Sequence, residues 1–227
     1  MLRNGKVVPA SRPPVSERVM LWLSSGKLID GLWVGTYFQE NGARVMDRVA
    51  QALALIKAHD RVRYDGLARD LDRVWARLLT TGVAQFDPAW RACLLDERFV
   101  LAETTDIAHI AAAIVHEATH ARLWRLGFGY DEAIRDRVEA VCLRREAAFA
   151  RKLPDGQAVS QWAGEALSLD PAYWTDEAAR DRDRAGSVAV LDHLGHGWLA
   201  RWVQARRKCR RLATPNANEQ RRSTVRD

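Results

Sequence analysis

The sequence predicts an α+β fold, mostly helical: a short β-sheet, a helix carrying His-Glu-x-x-His, an antiparallel helix carrying a line of glutamates, and helical extensions at the N- and C-terminal ends. Three observations carry this. Several long stretches, beginning with "ARVMDRVAQALALIKAHD", repeat apolar residues at three- and four-residue spacing. Between residues 60 and 105 that period gives way to short apolar runs separated by turn residues. The stretch "IVHEATHARLWRLGFGYDEAIRDRVEAVCLRREAAFA", Ile114 to Ala150, then sets two histidines and a series of glutamates on two helical lengths joined by a glycine turn. A chain of 227 residues, 48% hydrophobic, suffices for one sizeable core with extensions but is short for two domains.

Taken in order, Met1 to Ser16 carries charges and prolines and lacks the apolar core of a secretory signal, so none is expected. "VMLWLSSGKLIDGLWVGTYF", Val19 to Phe38, is apolar and aromatic, but Lys27 and Asp30 stand near its middle. Two central charges cost a membrane-spanning helix roughly 5 to 7 kcal/mol. The expectation is therefore a helix or hairpin packed on the core, with contact to a membrane surface as the alternative. Val45, Val49, Ala52, Leu53 and Ile56 form the buried stripe of an amphipathic helix ending near Asp60.

Beyond Asp60, "DRVWARLLT" and "RACLLDERFVLAE" are read as two or three short strands set apart by "TTG" and "DP". The second run suits a hairpin turning at Asp96-Glu97; a helix over Leu71 to Leu79 is the alternative for the first. Thr104, Thr105 and Asp106 offer capping oxygens, and Gly127 and Gly129 close the segment, so a helix is expected over Asp106 to Leu126. A second opens at Asp131 and stops by Pro154, with Ile134, Val138, Val141, Cys142 and Phe149 as its buried stripe. Further helices are expected over Val159 to Leu169 and Thr175 to Ala205.

On a helix, His116 and His120 lie one turn apart on the same face, so both imidazoles can reach one ion while a third ligand comes from elsewhere. Glu117 is rotated by about 100°. That offset suits a carboxylate that takes a proton from an activated water instead of binding the metal. At this chain's histidine and glutamate content, the pattern should arise by accident in roughly one such sequence in a hundred. Its alanine-rich apolar context (Ile110, Ala111, Ala112, Ala113, Ile114, Val115) is what a buried site requires.

Glu132, Glu139 and Glu146 recur every seven residues, along one line of the second helix. The first helix climbs about 13 Å from Ala118 to the turn, and an antiparallel partner starting at Asp131 descends as far after nine residues, at Glu139. Glu132 and Glu146 would then lie about 10 Å above and below the metal.

His116, Glu117 and His120, followed by a turn and by Glu139 in "VEAV", resemble the gluzincin branch of the zinc metallopeptidases. The resemblance covers Arg91 to Pro154. It implies a small zincin-like core in which a sheet precedes the motif helix and the glutamate helix follows. It also implies a Zn2+ ion held by His116, His120 and Glu139, a water nucleophile with Glu117 as general base, and peptide-bond hydrolysis. Gluzincins carry a Tyr or His that donates to the developing oxyanion; Tyr130 is the candidate, with packing ahead of the helix cap as its other role. The metzincin pattern is excluded, because Leu123 stands where its glycine is needed. "REAAFA" is similar to a run that follows this motif in the phage-repressor-cleaving peptidases, and on that correspondence Glu146 is the ligand. Asp131, whose other role is helix capping, is a third choice.

The remaining groups carry less. His193 and His196 could form an i,i+3 metal pair but lack a third ligand in the sequence, and His59 and His109 stand singly. Cys93, Cys142 and Cys209 show no CxxC, which fits a reducing compartment, and Cys142 is assigned to the core. The net charge of +6 is local: residues 201–227 alone sum to +7, leaving the body at −1. That tail suits weak contact with nucleic acid or anionic lipid, or a solvated end.

The expected organisation is thus an N-terminal aromatic segment and helix (1–59), a metallopeptidase core (60–154), a helical extension (155–205) and a basic, disordered tail (206–227). A cytoplasmic zinc metallopeptidase acting on a peptide or protein substrate is the leading expectation. The substrate would pair with a strand edge within Ala92 to Leu95 or Phe99 to Ala102. Two alternatives stand: a catalytically silent binding protein that uses its basic tail or aromatic N-terminal segment, and a hydrolase of a non-peptide amide.

Overall fold

The computed structural model describes residues 12–37 and 40–195. Its elements in chain order are α1 (Val15–Leu23), β1 (Ser25–Ile29), β2 (Leu32–Thr36), α2 (Gly42–His59), α3 (Arg61–Asp70), β3 (Arg73–Arg77), β4 (Ala84–Asp87), β5 (Ala92–Asp96), α4 (Glu97–Leu101), α5 (Ile107–Arg125), α6 (Glu132–Ala150), α7 (Gln157–Leu167), a 3-10 turn (Pro171–Trp174) and α8 (Asp176–His193). The class is the expected mostly helical α+β.

The N-terminal aromatic segment forms both a helix and a hairpin. Asp30 and Gly31 have φ of 49° and 85° at the tip, the pair of positive values that a two-residue turn matched to strand twist demands. The hairpin joins the core sheet, whose order is β1-β2-β3-β5-β4: β2, β3 and β5 run parallel, and the edges β1 and β4 run antiparallel to their neighbours. The sheet therefore draws strands from both sides of residue 60.

Period-two alternation gives the sheet two apolar faces. Val34, Val74, Ala76, Cys93 and Leu95 face the main core with α2, α3 and α5. Trp33, Trp75, Ala92 and Leu94 face the other way and are covered by Met20 and Leu21 of α1 and by Trp90. Val45, Val49, Ala52, Leu53 and Ile56 are buried, as the spacing of α2 requires.

Two expectations are corrected, and the strand reading prevails over its helical alternative. No helix spans Leu71 to Leu79; β3 lies there, preceded by α3, which Asp60 caps by accepting the Arg63 amide. The run after Asp96 is not a hairpin arm but α4, because the Asp96 carboxylate accepts the Arg98 amide and starts a helical turn. Val141 faces solvent while Glu139 and Glu146 are buried, so the packed face of α6 is rotated toward its glutamates. The helix expected to open at Thr175 is described as far as His193, with Thr175 as its capping residue. The rest of that helix, His196, Cys209 and the basic tail lie outside the described residues. No helix among the described residues is long and apolar enough to cross a membrane.

Candidate metal centre

Two antiparallel helices build the site. Asp106 caps α5 by accepting the His109 amide, and from that start the register brings His116, Glu117 and His120 into the interior, flanked by Ile110 to Val115. Phe128 closes the helix end by donating to the Leu123 carbonyl, and α6 begins after Asp131, which occupies the capping position without a side-chain bond. Pairings across the two helices then run in opposite senses: His120 meets Glu139, and His116, one turn earlier, meets Glu146.

The distances define a small donor cage. The Nε2 atoms of His116 and His120 are 3.1 Å apart. Glu139 places Oε2 at 3.2 Å from the first and Oε1 at 3.5 Å from the second. Zinc–nitrogen and zinc–oxygen bonds of about 2.0 to 2.1 Å imply tetrahedral edges of roughly 3.3 Å, so the spacing fits a zinc-sized ion.

Glu146 takes a different place. Its carboxylate lies 3.0 Å from Nδ1 of His116, the nitrogen that faces away from the cage. That contact fixes the ring and leaves Nε2 as the free donor, the part an outer carboxylate plays in histidine metal sites. The expectation that Glu146 stands about 10 Å away is thus corrected: a long side chain and the far side of an imidazole close most of one helical turn. Glu132 lies at the helix entrance, where it accepts the Asp176 amide.

Tyr130 reaches the site. Its hydroxyl donates to Oε1 of Glu139, and its ring stands edge-on to His120 at 5.4 Å. Among the described residues, His116, His120 and Cys142 also form a cluster that could hold a metal ion, with one ligand atom of each within 4.8 Å of the others. Cys142 is one turn from Glu139 on the same face of α6, a spacing visible in the sequence, where the thiol is assigned to the core. That spacing alone does not separate a core thiol from a donor; its nearness to both imidazoles does. For the third donor the nearer carboxylate is the stronger choice, because its oxygens sit at tetrahedral-edge distances.

The electrostatics mark the cage as a well for positive charge. Burial disfavours the His116 imidazolium, yet hydrogen bonds to Glu139 and Glu146 outweigh it and push the His116 pKa up to about 10. Burial likewise works against the Glu139 carboxylate, and its bonds to His116 and His120 hold it well below the usual range. Glu117, fully buried, is raised chiefly by desolvation. Cys142 is raised by burial and then by the charge of Glu139.

The other histidines stand apart. His109 pairs with the capping Asp106 at 2.7 Å, while His59 and His193 end their helices. No protein-family model matches the chain, and neither a curated protein nor a solved structure does so significantly.

Proposed function

We propose that this protein is a zinc-dependent metallopeptidase whose metal is held by His116, His120 and Glu139. The observation that carries the reading is the convergence of two Nε2 atoms and the Glu139 carboxylate within 3.1 to 3.5 Å, with Glu146 clamping the back of His116. A zinc ion held there would polarise a substrate carbonyl and bring the pKa of a water toward neutrality.

The chain's own groups do the rest. Glu117 lies one position from the first histidine and takes no part in the cage; its carboxyl, made more basic by desolvation, suits a base that accepts the water's proton and passes it to the leaving amine. Tyr130 fixes one oxygen of Glu139 and orients the third ligand.

The substrate edge is moved from where the sequence suggested. Ala92 to Leu95 is not free, because β5 lies between β3 and β4, and Phe99 to Leu101 is helical. The edge over the motif helix is β4, which packs on α5 and sets Phe86 against Trp124. Asp96 donates to the Val83 carbonyl, so along this antiparallel pair residues 83, 85 and 87 bond inward while the backbone of Ala84 and Phe86 points outward. Those groups would bind an extended peptide by strand addition.

The test is Glu117→Gln. This variant is expected to retain one equivalent of zinc by elemental analysis and to lose peptide hydrolysis by at least a hundredfold. Hydrolysis at the wild-type rate would end the catalytic assignment, and a folded wild type that holds no divalent metal would end the metal assignment.

A further inference from the structure

Besides Glu139 and Glu146, a third side chain of α6 lies beside the histidine pair. Glu139 and Cys142 are three residues apart and so share a face, and both are buried against α5. The Cys142 sulfur lies within 4.8 Å of a ring nitrogen of His116 and of His120. Burial is the main influence on this thiol, and Glu139, Glu117 and Glu146 act on it electrostatically as well.

We infer that Cys142 is a sulfur donor to the ion held by His116, His120 and Glu139. The inference rests on reading this cluster as a metal centre. Two histidines at i,i+4 on one helix face a carboxylate and a thiol at i,i+3 on its antiparallel partner, which is four donors from four adjacent turns. Zinc–sulfur bonds, at about 2.3 Å, are longer than those to nitrogen and oxygen. A thiolate also biases the centre toward borderline and soft cations such as zinc, cobalt and cadmium, and against magnesium and calcium. When sulfur binds, its proton leaves to solvent and the thiolate takes the fourth position of the resting centre, so the centre is latent until an incoming water displaces the sulfur and leaves the three-ligand site that hydrolysis needs.

Cobalt(II) tests this directly. The full-length protein is stripped with a chelator and reloaded with one equivalent of cobalt chloride. Cobalt content is then measured beside the near-ultraviolet thiolate-to-cobalt charge-transfer absorbance. The wild type and Cys93→Ser should show the band; Cys142→Ser should lose it while still binding cobalt. X-ray absorption on the zinc-loaded wild type needs no variant and should find one sulfur at about 2.3 Å. Stoichiometric cobalt without the band in the wild type, a band that survives in Cys142→Ser, or a zinc shell of nitrogen and oxygen alone would each overturn the sulfur assignment and leave the three-ligand centre standing. A folded wild type that binds no cobalt or zinc would overturn both.

Discussion

The residues of the cage divide by which atom they present. His116 shows both nitrogens to carboxylates, Nε2 to Glu139 and Nδ1 to Glu146, and only the first opens into the cage. Seven-residue spacing in the sequence marked both glutamates and helical rise favoured Glu139, but neither could set Glu146 at the back of His116, because that depends on which face of an imidazole each carboxylate meets. Cys142 was hidden for a similar reason, a thiol in an apolar run reading as core. Outside the site one carboxyl stands exposed to the same physics without a partner. Glu97 is 6% exposed, and its Oε2 has no hydrogen-bond partner among the described residues. Burial, and then the charge of Asp96, push its pKa from 4.5 up to about 7. A carboxyl raised on folding binds its proton more tightly in the folded chain. The stability it contributes is therefore complete below about pH 4.5 and is lost as pH rises through about 7. Glu97→Gln should match the wild type at pH 4 and exceed it at pH 8, by up to roughly 3 kcal/mol. Urea unfolding of both proteins at the two pH values checks this; a difference that does not change with pH would remove the assignment.

At the scale of elements, the long helices were legible because their apolar stripes outlast local noise. The stripe of α2 and the capped starts and glycine-closed end of α5 appear where spacing placed them. Short elements were not. The α3 helix buries only Tyr64, Leu67 and Asp70, too few for a period to show, and β4, Ala-Gln-Phe-Asp, alternates apolar and polar residues over only four positions, too short a run to stand out between turns. Its role comes from its place, as the antiparallel edge packed on α5, which depends on pairing with residues 92 to 96. That place carries a prediction. The Ala84 amide points away from β5, so proline there removes an outward donor without breaking a ladder bond, the one strand setting in which proline is tolerated. Ala84→Pro should leave Tm within a few degrees of the wild type while lowering kcat/KM for extended peptides about fivefold, the worth of one backbone hydrogen bond. Unchanged kcat/KM, with folding intact by circular dichroism, would show that peptides do not add to this edge.

For the molecule as a whole, the centre is also a joint. The sheet, α2 and α5 share one apolar core that needs no ion, and Phe149, Ala150, Leu153 and Val159 tie the far end of α6 and the start of α7 into it. The middle of α6 meets α5 differently, through Glu139, Cys142 and Glu146, three buried ionisable groups set around two histidines. Without a cation, the attraction that balances these carboxylates comes from protonated His116, and that balance fails as pH rises through about 10. A bound divalent ion offsets the same charges without a proton. Because it binds the folded chain and not the unfolded one, it stabilises by about 2.7 kcal/mol when free metal stands at a hundred times its Kd. For a chain of this size that is roughly 5 to 10 °C in Tm. Chelation at pH 8 should lower Tm by this amount, and zinc should restore it. The loss should be local: amide exchange should quicken first between Glu132 and Leu143, where side chains of the cage hold the helix, and last in β3 and β5, whose contacts are apolar on both faces. If chelation left Tm and the exchange of α6 unchanged, the cage would not be holding an ion, however well its distances suit one.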